Sequence, residues 1–272
     1  VASSEAARAL ANSHDFIWAS AGVHPHEAAT LDDAALLRIA SLCGEERVVA
    51  LGEIGLDYYY DLAAREVQKV AFERPLEVDL PVIIHSGDAA QDTLELVKKY
   101  RPRGIVHCFS GSAELAREYV SMGMYLGFTG VVTFANAKKP LEAAREVPLS
   151  QLLIETDCPY LAPVPFRGKR CDSTMLPYTA AALAAANGVE TEVLIQATWK
   201  MRTGFTKFPF GNLLRRNDDA EGIPARVPSF PANSGAVRSQ VSNFRFFSLF
   251  SRFFLLLAEL GQKITASFPN VQ

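Results

Sequence analysis

The sequence predicts an α/β fold built on a parallel sheet, and two observations favour this class. Short apolar runs alternate along the chain with amphipathic stretches of helical length, which is the pattern of βαβ units. The runs are rich in branched residues and apolar on both faces, as in ALGEI and PVIIH, and strands buried on both sides have this composition. The 272 residues suffice for one large α/β domain or two small ones.

The pattern predicts six strands, which run over residues 16–22, 48–54, 81–85, 104–109, 125–129 and 152–156. Helices are expected over residues 3–11, 31–42, 63–78, 89–100, 113–122, 138–147, 177–186 and 191–201. Pro75 lies inside the segment 63–78 and should kink or end that helix. Six strands suit an open doubly wound sheet or an incomplete (β/α)8 barrel, and the periodicity alone leaves both open.

The alternation of strand and helix patterns stops near residue 202. We expect one domain over residues 1–202, followed by a largely irregular tail over 203–272 that is rich in Pro, Gly, Asn and Arg. Residues 244–260 of that tail read FRFFSLFSRFFLLLAEL and form a helix candidate. Three interpretations stay open for this segment: packing on the domain, lying in a membrane interface, or no evolved role.

Composition limits the partners and the cell compartments that we expect for the protein. The formal net charge is -3, so no overall basic field indicates nucleic acid binding, although a bound metal ion would supply positive charge locally. The four cysteines show no CxxC spacing, and no signal peptide or uncharged apolar run of membrane-spanning length is present. We therefore expect an intracellular, cytoplasmic monomer without a membrane span.

Four residues of metal-ligand type fall at the carboxyl ends of predicted strands. They are Glu53 in VVALGEIGLD, His85 in PVIIH, His107 in GIVHCFSG and Asp157 in LLIETD. Parallel barrels place their catalytic residues at this end of the strands. Each residue alone has a structural interpretation, such as a helix cap, but four on separate strands favour a site for zinc, manganese or magnesium.

The segments GVHPH, GEIGLDYYYD, PVIIHSGDA, HCFSGS and ETDCPYLAPVPFRGKR resemble, in order and spacing, the successive motifs of the TatD family of metal-dependent deoxyribonucleases. The resemblance runs from residue 16 to about residue 200, and the last motif is the most specific. It implies a distorted (β/α)8 TIM barrel, two divalent metal ions (Mg²⁺, Mn²⁺ or Zn²⁺) and hydrolysis of DNA phosphodiesters, with a 3′–5′ exonuclease as one form. By the same resemblance, Glu53 bridges the metals, His85 and His107 bind the second, and Asp157 binds the first and activates water.

Other positions have weaker claims as substrate contacts. They are His24, Asp57, Tyr58, Arg167, Lys169 and Arg170. The histidine and tyrosine have loop-capping and packing as equal alternatives, and the basic run has solvated charge as its alternative. His26 is expected to be structural or exposed.

The sequence departs from the family pattern at its start, because no His-x-His pair precedes residue 16. We expect the first two strands to be absent and one metal site to be incomplete, with little activity as a consequence. Gly87 stands where the family commonly has Arg. Two other functions remain open: a catalytically impaired remnant that only binds, and an esterase or lactonase of the amidohydrolase type.

Overall fold

The computed structural model describes residues 1–14 and 16–205. The predicted helix at 244–260 and the tail from residue 206 onward lie outside these residues. Within them, six strands form one sheet, are hydrogen-bonded in sequence order and are all parallel. The strands are β1 (Ala19–Ala21), β2 (Val48–Asp57), β3 (Val82–Gly87), β4 (Gly104–Val106), β5 (Tyr125–Phe128) and β6 (Leu152–Ile154). The prediction of a six-stranded parallel α/β fold is confirmed.

Helices occupy the connections, as expected for βαβ units. They are α1 (Ala2–Ser13), α2 (Asp33–Cys43), α3 (Arg65–Glu73), α4 (Ala90–Tyr100), α5 (Ala113–Ser121), α6 (Lys138–Glu146), α7 (Leu176–Asn187) and α8 (Thr191–Phe205). Short 3₁₀ turns cover Pro25–Thr30, Arg74–Glu77, Gly130–Thr133 and Ser173–Met175. Every predicted helix within the described residues is present, and the differences are at the ends.

Three boundaries differ from the prediction for local reasons. Helix α2 begins at Asp33 because the Asp32 side chain accepts a hydrogen bond from the amide of Ala35 and caps the helix there. Helix α3 ends at Glu73 because Pro75 has no amide hydrogen to donate, and a 3₁₀ turn follows. Strand β1 is shorter than predicted because the amide of Ile17 bonds back to the carbonyl of His14 in a turn.

The sheet has two apolar sides. One side packs under the helices in a large core that includes Leu51, Ile84 and Phe128, all of them fully buried. On the other side Ile105 and Leu153 form a separate small cluster with Tyr125. Because side chains alternate across a strand, the residues two positions beyond Ile105 and Leu153, which are His107 and Glu155, continue this second side toward the carboxyl ends.

Helix α8 covers one border of the sheet. The hydroxyl of Thr198 accepts a hydrogen bond from the amide of Ile154 at 3.4 Å, so an edge amide of β6 is satisfied by a side chain. This protects an edge that would otherwise be open to another strand. Among the residues that the structure describes, no helix is both long and apolar enough to cross a membrane.

Candidate metal centre

Parallel strands bring the predicted site residues to one edge of the sheet. The residues are His24 after β1, Glu53 and Asp57 in β2, His85 in β3, His107 directly after β4, and Asp157 after β6. All six strands are parallel, so these positions meet at the carboxyl ends, where such sheets bind ligands.

The carboxylate of Glu53 lies at the centre of one half of the site. Strand β2 shifts its register against β3 between Leu51 and Ile54, and Glu53 lies in this irregular stretch. Its Oε1 is 2.9 Å from Nδ1 of His85 on the neighbouring strand. A β-bulge of this kind re-aims a side chain next to a functional site, and here it pairs a carboxylate with an imidazole.

His24, Glu53 and His85 form a candidate metal-binding group. One ligand atom from each lies within 4.8 Å of the others. Nδ1 of His24 accepts the amide hydrogen of His26 at 3.2 Å, which fixes the imidazole at the start of the 3₁₀ turn that follows β1. Two imidazoles and one carboxylate are a donor set suited to Zn²⁺ or Mn²⁺, so the residues present fit a divalent cation. The sequence placed His24 only among weaker substrate contacts.

Asp57 holds two histidines from behind this group. Its Oδ2 is 2.9 Å from Nε2 of His85 and 2.9 Å from Nε2 of His26, and its Oδ1 accepts the amide hydrogen of Tyr60. The side chain is only 4% exposed. This geometry is that of a positioning carboxylate that orients imidazoles. The predicted direct contact between Asp57 and substrate stays a prediction.

Two neighbours of Asp57 make this arrangement possible. The side-chain oxygen of Gln68 accepts the Asp57 amide hydrogen, and its nitrogen donates to the carbonyls of Asp57 and Ala63. On β3, a Cβ at Gly87 would lie 2.8 Å from Oδ2 of Asp57 and 3.1 Å from Nε2 of His85. A side chain at position 87 would therefore press on the carboxylate–imidazole pair as it is placed here.

The second half of the site is built around His107. Its Nδ1 lies 2.9 Å from Oε1 of Glu155, and its Nε2 lies 3.4 Å from Oδ1 of Asp157. The same Oε1 of Glu155 accepts the amide hydrogen of Cys108 at 2.6 Å. Glu155 is fully buried, whereas the side chain of Asp157 is 39% exposed. One carboxylate thus fixes the histidine, and the other faces the solvent.

Gly127 makes room for the buried carboxylate. A Cβ at this position of β5 would lie 2.4 Å from the carboxylate carbon and from both oxygens of Glu155. A side chain at this position would force the carboxylate or β5 to shift, so glycine here leaves Glu155 in place. Glu155 was not among the predicted site residues, although it lies only two residues before Asp157.

Burial and charge set the protonation of the first half. Burial lowers the pKa of His24 to about 4, so this imidazole is uncharged near neutral pH. Burial also opposes protonation of His85, but hydrogen bonds to Asp57 and Glu53 outweigh it and raise its pKa to about 9. Burial would raise the pKa of Glu53, yet His107 and His85 hold it well below its usual range.

His107 behaves like His85 in the second half. Burial disfavours its charged form, but the carboxylates of Glu155, Glu53 and Asp157 raise its pKa well above its usual value. Both imidazoles are therefore protonated more readily than a free histidine. Metal ligands must be deprotonated, so a cation bound here would displace these protons and take over the neutralisation of the carboxylates.

Tyr58 lies on the side of the loop that packs against the protein. Its hydroxyl donates to Oδ2 of Asp92 at 2.7 Å, the ammonium of Lys69 lies 2.9 Å from the same oxygen, and the Arg65 guanidinium stacks 4.2 Å from its ring. Burial raises the pKa of Tyr58 to about 12, and Asp92 adds to the effect. These contacts support a packing role, and the predicted substrate contact of Tyr58 remains a prediction.

The basic run after β6 lies at the surface. Arg167, Lys169 and Arg170 are exposed, and the Arg167 guanidinium lies 4.3 Å from the ring centre of Phe134 in the segment after β5. The loop begins at Asp157 and so borders the second half of the site. Its charges are placed where a phosphate backbone leaving the site could meet them, and this role also stays a prediction.

Fold and site together define a class of protein. A parallel α/β sheet whose carboxyl edge gathers imidazole and carboxylate ligands is the architecture of a metal-dependent hydrolase of the barrel type.

Comparisons with known proteins identify the family within this class. The family model described as TatD related DNase matches residues 1–204. An uncharacterised metal-dependent hydrolase, YabD of Bacillus subtilis, is 44% identical over 192 residues, which are 68% of this chain and 75% of that protein. A 3′–5′ ssDNA/RNA exonuclease, TatD of Klebsiella pneumoniae, is 33% identical over 217 residues, 74% of this chain and 82% of that protein. The chain belongs to the TatD family.

A solved structure supports the same assignment. The crystal structure of YjjV, a TatD homologue from Escherichia coli, superimposes with a TM-score of 0.70 at 28% sequence identity, covering 75% of this chain and 82% of that one. The predicted resemblance is therefore confirmed at the level of family and fold. The protein is a member of a metal-dependent hydrolase family with a TIM-barrel-like fold.

Proposed function

We propose that the protein is a divalent-metal-dependent phosphodiester hydrolase that acts on DNA and removes nucleotides from a 3′ end. The observation that carries this proposal is the grouping of His24, Glu53 and His85 within 4.8 Å, beside a second histidine–carboxylate pair. Relatives named 3′–5′ ssDNA/RNA exonucleases support the reaction and its polarity.

Metal ions would be held in two neighbouring places. His24, Glu53 and His85 offer one set of donors, and His107 with Asp157 offers the other. Glu53 is close enough to influence both His85 and His107 electrostatically, so it suits the bridging role between two cations. When bound, divalent cations lower the pKa of water and neutralise charge on a phosphate.

Side chains of the protein then have separate roles. Asp157 is the exposed carboxylate of the site, so it is placed to accept a proton from the attacking water. The buried carboxylates Asp57 and Glu155 hold His85 and His107 in one orientation. Side chains that are already oriented in this way stabilise the charge that develops in the transition state without having to move. The exposed Arg167, Lys169 and Arg170 would bind backbone phosphates away from the cut.

The test is digestion of an end-labelled single-stranded DNA in the presence of Mg²⁺ or Mn²⁺. We expect slow shortening from the 3′ end, because the second place offers two ligands, His107 and Asp157, where three or more are usual. EDTA should abolish the shortening, and Asp157→Ala should lower its rate by at least about 100-fold. Asp79→Ala is the matched control, because Asp79 is an exposed aspartate that precedes β3 at the opposite, amino end of the sheet. Metal-independent digestion, or full activity of Asp157→Ala, would contradict the proposal.

A second measurement separates hydrolysis from binding alone. Titration with Mn²⁺ by calorimetry should show saturable binding that Glu53→Gln weakens strongly, while Glu95→Gln on the exposed face of α4 leaves it unchanged. Binding of metal and DNA without any cleavage would favour a protein that only binds. Cleavage of a carboxylic ester or lactone in place of DNA would favour the esterase alternative.

A further inference from the structure

Two exposed tyrosines lie directly beside the first half of the metal centre. Tyr59 is 67% exposed and Tyr60 is 52% exposed. Both follow Asp57 in the loop between β2 and α3, and they contrast with Tyr58, whose hydroxyl and ring are engaged by Asp92 and Arg65. Large aromatic side chains left in water next to a site indicate a surface that binds a ligand.

The loop holds these rings at a fixed distance from the metal ligands. The amide of Tyr60 donates to Oδ1 of Asp57 at 2.8 Å. The Tyr60 ring stands edge-on to His26, with ring centres 5.4 Å apart, and the Tyr59 ring is perpendicular to Tyr60 at 4.8 Å. His26 is in turn 2.9 Å from Asp57. Tyr60 therefore lies one ring away from the residues that position His85.

The opposite side of the same edge also carries exposed apolar groups. Tyr160 is 47% exposed and Val164 is 44% exposed, and both belong to the loop that starts at Asp157. The amide of Tyr160 bonds to the carbonyl of Asp157 at 2.7 Å. The proposed catalytic carboxylate is thus bordered by an aromatic side chain on its own loop, and the basic run follows on that loop.

Charge and shape together favour one occupant. Exposed rings bind flat, apolar partners, and nearby basic side chains bind phosphates; unpaired nucleotides offer both. Paired bases in a duplex are stacked on one another and present only their edges. The aromatic faces beside the metal centre can therefore stack only on unpaired bases.

We propose that Tyr59 and Tyr60 form a stacking platform for unpaired bases next to the phosphodiester that is cut. This inference rests on the proposed function, since it assigns a binding surface to the bases of the strand that is cut. The platform binds any base, because every base has a π face. It contributes to affinity, and it takes no part in the proton transfers.

The experiment measures binding by fluorescence anisotropy with a short single-stranded phosphorothioate DNA, which resists cleavage. A second probe has the same backbone but is abasic over its 3′-terminal nucleotides, and a third is the duplex. We expect Tyr59→Ala and Tyr60→Ala each to weaken binding of the base-containing single strand by about fivefold or more. The abasic and duplex probes should change little, and Tyr59→Phe and Tyr60→Phe should retain the affinity.

Tyr100→Ala is the matched control, because Tyr100 is exposed at the carboxyl end of α4, on the far side of the molecule from the site. Unchanged Mn²⁺ affinity in each variant shows that the site remains folded. Three results would overturn the platform: equal loss on base-containing and abasic probes, equal loss on duplex and single strand, or no loss at all. The first of these would point to phosphate contacts or another kind of partner.

The two proposals fail separately. If the wild-type protein does not cleave an unmodified strand with Mg²⁺ or Mn²⁺, yet binding depends on the bases and on the two rings, the hydrolase proposal fails, and the two rings remain a surface that binds bases without cleavage. If cleavage depends on metal and Asp157 while binding ignores the bases, the hydrolase proposal stands and the platform fails.

Discussion

The two halves of the metal centre use the same device with different burial. In each half a histidine is fixed by a carboxylate: His85 by Asp57 and His107 by Glu155. The His85 side chain is 24% exposed and belongs to a group of three ligand residues, whereas His107 is 5% exposed and its fixing carboxylate is fully buried. The first half thus offers three ligand residues for a cation, and the second half offers a rigid histidine beside the exposed Asp157.

The source of the supporting carboxylate explains this difference. Asp57 comes from β2, the strand beside His85, and it needs only the small Gly87 as a neighbour. Glu155 follows β6 and reaches His107 after β4 across the intervening β5, which requires Gly127. The histidine supported from a neighbouring strand is 24% exposed, and the histidine supported from two strands away is 5% exposed.

The largest expected effect is the loss of folding stability in Glu155→Gln. The fully buried carboxylate pairs with His107 and accepts the Cys108 amide hydrogen, and breaking a buried charged pair costs about 3–5 kcal/mol. Urea denaturation should show this loss. Glu45→Gln, at a partly exposed pair with Arg8, should cost less than about 1 kcal/mol. Equal stability of the two variants would show that the second half is not a rigid support.

The matched change in the first half should act on metal affinity. Asp57→Asn keeps the shape of the side chain but removes the charge that orients His85 and His26, and loss of a positioning partner costs about 10- to 100-fold in metal affinity. Calorimetric titration with Mn²⁺ measures this change. If Glu155→Gln weakens the tighter Mn²⁺ site more than Asp57→Asn does, the division of labour between the halves is wrong.

Much of this comparison could be predicted from the sequence, because it depends on local pattern. Apolar runs of strand length located all six strands, and the motifs at their ends located Glu53, His85, His107 and Asp157. Helix α3 was expected to stop near Pro75, and it does so. These features follow from residues close together in the chain.

The pairings between distant residues could not be predicted. Glu155 reaches Cys108 across 47 residues, and His26 reaches Asp57 across 31, so no periodicity relates the partners. His24 was placed among substrate contacts because its position after β1 does not reveal that it lies near Glu53 and His85. The roles of the site residues themselves remain predictions until the variants are measured.

A smaller effect is expected from Gly127→Ala. The added Cβ would lie 2.4 Å from the Glu155 carboxylate, so β5 or the carboxylate must shift, and overpacking of this kind costs about 1–3 kcal/mol. Thermal unfolding should show a lower midpoint. Gly44→Ala, whose Cβ would meet nothing closer than 3.3 Å at the end of α2, should change the midpoint little. An unshifted midpoint for Gly127→Ala would mean that Glu155 moves freely.

The smallest expected effect separates packing from substrate binding at Tyr58. Tyr58→Phe removes one hydrogen bond, from the hydroxyl to Asp92, and should cost about 1 kcal/mol of stability. The ring stays under Arg65, so affinities for Mn²⁺ and for single-stranded DNA should not change. Urea denaturation and anisotropy measured on the same variant check both statements. Tyr58 and Tyr60 are two residues apart in one loop. If Tyr58→Phe weakened DNA binding without changing stability, the packed Tyr58 would contact the substrate, as the sequence predicted.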